Sequence, residues 1–412
     1  MVIPFGPFVV DLDAERLQRD GCEVKLRRRA LHALGVLASR AGQGVTPEQL
    51  IAEAWDGVHV SHHTVEVTIN EARKALTDCG PWISRLRTGE YRLLVPQSDA
   101  LITRGWHVAE HGTSDGIRHG LECFVEAAAQ APFDHRAFVG QCACHISLVS
   151  LGLADGVTTW HRFRDAHARA AALVGAARLR SDYAYARFLC RRETEAAETQ
   201  LRQVLAEARD QPLTCVRMMT VQAARGNLEA ALVWATRARV AGPLLPLTSA
   251  AVIAVHVWRR EFAVAAALGG EAVRLHPHFF LSRVFYGMAL QCSGQLREAL
   301  DQYRISAVLS HDVPWPRALE ADCLIRLGER DAADAILDGL LMKRQNEYVD
   351  SIALAHLRMA RGETRAAMAE LERAMEEMNG RWYMLACDPL LEELRAHRGF
   401  VAVTNCNISV QR

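Results

Sequence analysis

The rhythm of apolar and polar positions changes repeatedly along the first hundred residues. Phe8, Val10 and Leu12 alternate with other neighbours, and GCEVKL from Gly21 to Leu26 follows a polar turn at Arg19 and Asp20. A period of two over such lengths predicts two short strands. From Arg29 the spacing becomes helical, with Leu31, Leu34, Leu37 and Ala38 on one stripe until Gly42 stops it. Thr46-Pro47-Glu48-Gln49 then supplies a capping hydroxyl, a proline where no N–H bond is needed, and a glutamine placed to complete a capping box. That second helix ends at AWDG, where Gly57 allows a turn. Ser61 caps a third helix, SHHTVEVTINEARKALTD, from Ser61 to Asp78. Val65, Ile69, Ala72 and Leu76 define its buried face. His63, Val67, Asn70 and Lys74 form the opposite stripe, flanked by Thr64, Glu66, Glu71 and Arg73. After Pro81, WISRLRTGEYRLLV alternates around a tight Arg87-Thr88-Gly89 turn and predicts a β-hairpin with an arginine near its tip.

Strands, three helices and a terminal hairpin predict an α+β winged helix-turn-helix over residues 1–97. Residues 3–95 resemble the OmpR/PhoB-type winged-helix DNA-binding domain. The matching residues are Thr64-Val65-Glu66-Val67, Ile69, Arg73-Lys74 and Leu76 in the third helix, Ile83 in the first wing strand, and Gly89 with Tyr91-Arg92-Leu93 in the second. The resemblance implies that the third helix enters the major groove and that the wing reaches the adjacent minor groove or backbone. It nominates His63, Thr64, Asn70, Glu71 and Lys74 to face bases, and Thr68, Arg73, Arg85 and Arg87 to contact phosphates. Two positions depart from the family pattern: Glu71 stands where many relatives carry a basic residue, and Ala72 replaces the usual leucine. Residues 1–100 hold 12 Lys+Arg and 13 Asp+Glu, a net charge of −1. Non-specific affinity comes mainly from phosphate neutralisation, so modest binding per protomer is expected, strengthened by dimerisation on paired half-sites.

Residues 98–112 break the periodicity and read as a linker. Beyond them the pattern is almost wholly helical, and an internal repeat emerges. Arg192, Gly226, Arg260, Gly294, Gly328 and Gly362 stand 34 residues apart, and an alanine follows each by five: Ala197, Ala231, Ala265, Ala299, Ala333 and Ala367. Pro243 and Pro277 each follow their marker by 17, where a second helix would end. This is the period of the tetratricopeptide repeat, a helix-turn-helix unit. The marker reads as the turn, and the alanine as the point where paired helices approach closely. Regular repeats are expected from about residue 178 to 381, starting near Arg178, Pro212, Pro246, Phe280, Pro314 and Tyr348, within an all-α superhelix over 113–400. A less regular unit with a helix from Gly120 to Pro132 precedes them, GLADGVTTWHRF reads as an insertion, and 401–412 read as a tail.

In such a superhelix the concave wall is lined by first-helix positions, and here these are mostly apolar. Leu213, Val216, Leu247, Leu281, Met288, Trp315, Ile352 and His356 are the expected groove. They lack the basic residues that clamp acidic peptide termini, so the expected occupant is an apolar peptide, a partner helix or an apolar small ligand. A closed superhelix, or a segment covering the wall, is the competing expectation.

Composition narrows the classes. Half of the 412 residues are hydrophobic, 23% are charged, and the formal net charge is zero, so any nucleic-acid contact must be local. No apolar run approaches the length of a membrane span, and the start lacks a basic secretory n-region. Eleven scattered cysteines suit reduced thiols. A cytoplasmic chain without membrane contact is expected. No phosphate-binding loop, dinucleotide fingerprint, HExxH or GxSxG occurs, so no catalytic residue and no cofactor is assigned. Cys142, Cys144 and His145 are the closest approach to a metal cluster, yet they lie on one helix and no metal is expected there. Winged helix followed by helical repeats resembles receiver-less bacterial transcription activators of the HilA and CadC kind, for which phosphorelay control is not expected. The resemblance implies a transcriptional regulator whose partners are double-stranded DNA, a second copy of the chain, a protein or ligand at the repeats, and RNA polymerase as a candidate. The rival from another class is an interaction scaffold with a degenerate winged helix.

Overall fold

The structure is a computed structural model that describes residues 1–55, 58, 60–208, 211–311, 313–395, 397 and 400. Gly57 and the tail expected over 401–412 lie outside the described residues. The chain divides into two compact units: residues 1–110, 118–144 and 165–178 form one, and residues 111–117, 145–164 and those from Leu179 onward form the other.

The first unit opens with a four-stranded antiparallel meander, β1 (Val2–Phe5), β2 (Phe8–Asp11), β3 (Arg16–Arg19) and β4 (Cys22–Val24), in chain order. Ile3 pairs with Val10, and Val10 with Leu17. These side chains, with Phe5 and Phe8, enter the core. Only β2 and β4 are foreseen by the pattern. A four-residue strand alternates too briefly to be told from a turn, which is why β1 and β3 escape it. Helices α1 (Arg28–Ala38), α2 (Pro47–Ala54) and α3 (His62–Ala75) follow. Thr46 accepts from the Gln49 amide and the Gln49 side chain accepts from the Thr46 amide, so the capping box forms. After a 3-10 turn over Thr77–Trp82, β5 (Ile83–Arg85) and β6 (Tyr91–Leu93) make the wing. Reciprocal 2.8 Å backbone bonds between Val45 and Tyr91 attach the wing to the chain ahead of α2.

The stretch read as a linker is helical. α4 (Pro96–Ala109) starts at a proline and packs on α5 (Ser114–Gln130), with Trp106 edge-on to Phe124 at 5.1 Å. The two helices touch at glycines: a Cβ on Gly120 would stand 2.8 Å from the Gly105 carbonyl. The small residues that permit this contact are what dilute the apolar period there. α6 (His135–Ser150) and α7 (Gly156–Val174) complete this region, and α7 spans most of the stretch read as an insertion.

The second unit stacks helix pairs. First helices are α8 (Arg180–Arg191), α10 (Pro212–Ala224), α12 (Pro246–Trp258), α14 (Phe280–Cys292), α16 (Pro314–Arg326) and α18 (Ser351–Ala360). Second helices are α9 (Thr194–Glu207), α11 (Leu228–Ala241), α13 (Phe262–Leu275), α15 (Leu296–Leu309), α17 (Arg330–Arg344) and α19 (Thr364–Glu376). All six turn markers are left-handed, with φ between +56° and +85°. That conformation costs a side chain about 1–2 kcal/mol and a glycine almost nothing. All six alanines five residues later are 0% exposed, at the points where paired helices approach too closely for a larger side chain. The fold is thus a winged helix followed by an all-α repeat superhelix.

Past α19 the chain turns back. Asn379 to Leu391 runs through two 3-10 turns, Trp382–Met384 and Pro389–Leu391, and ends in the short α20 (Glu392–Arg395). This segment packs against the first helices. Trp382 Nε1 donates to the Phe188 carbonyl (3.3 Å), and the Tyr383 ring lies 5.9 Å from Phe188 and 6.2 Å from Trp258. Arg381 is buried and ion-paired with Asp350, while His356 bonds Asp388 (2.9 Å). Arg192 donates to the Met375 carbonyl (2.7 Å) and Arg260 to that of Cys387 (3.2 Å). The two markers that are not glycine therefore both reach the end of the repeat array or the returning segment.

Candidate functional site

Helix α3 is positioned from its buried side. Ser61 Oγ accepts from the Thr64 amide (3.2 Å), which fixes the first turn. Val65, Ile69 and Ala72 enter the core shared with α1 and α2. The outer stripe is open: His63, Thr64, Glu66, Val67, Asn70 and Lys74 are all exposed. His63 to Lys74 spans about 16 Å of helix axis, and the major groove of B-DNA admits such a helix.

Three of the nine nominated residues are used differently. Thr68 is buried and donates its hydroxyl to the Thr64 carbonyl (2.8 Å), because position 68 turns with Val65 and Ala72 toward the core. Its expected reach to a phosphate is corrected. Glu71 accepts two bonds from Arg27, Nε to Oε1 at 2.7 Å and Nη2 to Oε2 at 2.5 Å. The hydrogen bond from Arg27 holds the Glu71 carboxyl below its ordinary range, and that bidentate clamp occupies the oxygens that would face a base. Arg73 donates Nε to the Ile83 carbonyl (2.9 Å) and Nη1 to Asn70 Oδ1 (2.8 Å), which ties α3 to the first wing strand. These bonds orient the guanidinium along the wing strand, and Asn70 keeps its amide NH2 for other partners.

The wing supplies two arginines. Arg85 lies over the Tyr91 ring (5.5 Å) with its guanidinium 3.8 Å from Glu66, an exposed pair of little strength. Arg87 is exposed at the hairpin tip, which Leu86 N closes onto the Glu90 carbonyl (2.8 Å) with Gly89 at φ +91°. Val67, on the stripe but outside the nominated contacts, is 47% exposed. An exposed β-branched residue amid polar neighbours is the signal that marks it, and apolar contact with a thymine methyl is the chemistry it offers.

The repeat wall departs from expectation. Val216, Met288, Trp315, Ile352 and His356 are buried, with Trp315 under Arg381 and His356 on Asp388. Leu213 is exposed, and Leu247 and Leu281 are half-buried near the helix starts. The expected open apolar groove is corrected: the returning segment fills it. On α6, burial pushes the Cys144 thiol up to about 12 and the His145 imidazole down to about 4. Among the described residues no three His, Cys, Asp or Glu side chains gather as a metal site would require, and no helix is long and apolar enough to cross a membrane.

Residues 21–93 match the family described as "Transcriptional regulatory protein, C terminal". The N-terminal domain is an OmpR/PhoB-type winged helix. Over 99 residues the chain is 27% identical to the transcriptional activator CadC of Escherichia coli (strain K12), a match that covers 23% of this chain and 19% of that protein. The similar solved structures include a monomeric mutant of IFIT1 with m7Gppp-AAAA, 12% identical over 87% of this chain and 84% of that one, with a TM-score of 0.53. They also include a tetratricopeptide repeat protein from Parabacteroides merdae, 10% identical over 75% of this chain and 99% of that one, with a TM-score of 0.38. At such identity the IFIT1 likeness speaks for the fold alone. The match to the transcriptional activator thus concerns the winged helix alone, and the chain spans about a fifth of that protein's length.

Proposed function

We propose that the chain is a cytoplasmic, sequence-specific DNA-binding transcriptional regulator in which α3 reads the major groove. The observation that carries this reading is the exposed stripe His63, Val67, Asn70 and Lys74 on a capped helix of an OmpR/PhoB-type domain. His63, Thr64, Asn70 and Lys74 face base edges with Val67 between them, and Arg85 and Arg87 contact phosphates. Arg73, Glu71 and Thr68 hold the helix in place. The near-neutral charge of residues 1–100 makes electrostatic attraction weak, so two protomers on paired half-sites supply the affinity. The repeat domain serves as the regulatory and partner-binding part.

Selection of genomic fragments by the purified full chain tests the reading. Enrichment of a shared, directly or invertedly repeated motif is expected. The same near-neutral charge favours a second reading, an interaction scaffold with a degenerate winged helix, and that reading predicts no enriched sequence at all.

A further inference from the structure

A cleft of 600 Å³ lies where Pro389 to Glu393 passes the C-terminal ends of α14, α16 and α18, within the size range of small-molecule sites. With the first-helix wall covered by the chain's own segment, this cleft is one concave surface that the repeat domain still offers to a ligand.

Its lining carries both signs of charge, with Asp322 as a third carboxylate beside Arg326. Arg260 and Arg326 bring guanidinium groups from the repeat array, and Glu392 and Glu393 bring carboxylates from α20. Arg326 commits Nε to Asp322 (2.7 Å), while the second Asp322 oxygen accepts from Gln291 (2.6 Å). Arg260 sits at φ +65°, where four of the six equivalent turns hold glycine. Strained residues of this kind persist where the surroundings over-determine them, often at ligand clamps. Its pairing with Glu392 is long, 3.5 Å, and partly exposed, so a ligand carboxylate can take the place of that glutamate.

A buried histidine closes the floor of the cleft beside these charges. His356 lines the cleft and is buried; Nε2 bonds Asp388 (2.9 Å), yet Nδ1 is buried without a hydrogen-bond partner. Phe262, Met359 and Leu390 supply an apolar wall beside it.

We propose that this cleft binds a small zwitterion with an apolar side chain, the chemistry of a free amino acid or dipeptide. The carboxylate engages Arg260 and Arg326, the ammonium engages Glu392 and Glu393, and the side chain lies on Phe262, Met359 and Leu390. Two guanidiniums alone would favour a simple anion, but the facing carboxylates repel one, and the unlike charges together select a ligand that carries both.

Calorimetric titration of the full chain, without DNA, tests this with L-phenylalanine and L-methionine against 3-phenylpropanoate, which lacks the ammonium, and phenethylamine, which lacks the carboxylate. Saturable binding of at least one amino acid is expected, with both single-charge analogues weaker by about tenfold or more. Arg326→Gln and Glu393→Gln should each weaken it about tenfold, and the exposed Glu393→Gln should leave the melting temperature of the unliganded chain unchanged. Three results would overturn the proposal: neither amino acid binds, 3-phenylpropanoate binds as tightly as L-phenylalanine, or both variants keep wild-type affinity. Because no DNA is present, failure here leaves the DNA-binding reading standing, and failure of fragment selection leaves this one standing.

Discussion

Replacing Arg381 by alanine reaches the interior of the repeat domain at one point. The guanidinium is 1% exposed, is ion-paired with an Asp350 that is 0% exposed, and lies 3.8 Å from the centroid of the Trp315 ring. Asp350 also caps α18 by accepting from Ile352 N (2.9 Å) and takes a bond from Asn379 Nδ2 (2.7 Å). Removing the cation leaves the carboxylate buried with only those two neutral donors, a loss of about 3–5 kcal/mol. The cation–π contact, desolvated as it is, adds about 2 kcal/mol. For a domain of this size each kcal/mol lowers the melting temperature by about 2–4 °C, so the Arg381→Ala variant should melt about 10–28 °C lower. Tryptophan fluorescence reads the transition directly, since Trp315 and Trp382 both lie in the affected region. The double variant Asp350→Leu, Arg381→Met removes both charges and should recover most of the loss. A shift below about 2 °C for Arg381→Ala would mean that the returning segment does not fill the first-helix wall.

Three further outcomes follow from other parts of the molecule. Arg85→Ala and Arg87→Ala should each reduce the slope of log affinity against log salt by about 0.9 on duplex DNA; fluorescence anisotropy across a salt series measures it, and unchanged slopes would remove both residues from the phosphate contacts. His145, held at about 4 by burial against an unfolded value near 6.5, takes up a proton more readily when unfolded. Its contribution is therefore fully present above about pH 6.5 and is lost as pH falls toward 4, by up to about 3 kcal/mol; urea midpoints should fall over that window, and less steeply in His145→Gln. Gly328→Ala should cost about 1–2 kcal/mol through backbone strain alone, because φ is +85° and an added Cβ meets nothing within 4 Å; chemical denaturation checks the size.

Local chemistry was legible where one residue type suffices to impose it. The turn markers are left-handed and the grid alanines sealed because a 34-residue step samples the same backbone position each time. The Thr46 box and the Ser61 cap act over three residues, within reach of a pattern. Contacts distant in sequence were not legible. Glu71 meets Arg27 across 44 positions, so its helical position alone made it look free to face DNA. Arg381 and Trp382 lie beyond the last marker, and their burial against α16, α18 and α8 depends on the returning chain. The wall residues were read from helix position alone, which finds Met288 and Trp315 but misses Phe188 and Trp258, the rings that meet Tyr383. α4 was hidden by the glycine that lets it approach α5.

The most direct test of the central claim compares the wild-type chain with a variant in which His63, Asn70 and Lys74 are all alanine. Each is titrated against a selected genomic fragment and a scrambled duplex of equal length at one salt concentration. These side chains are exposed, so the fold should persist, and the account predicts that the variant's preference for the selected fragment collapses toward one. A variant that discriminates between the two duplexes as well as the wild type does would contradict the assignment of α3 as the reading helix.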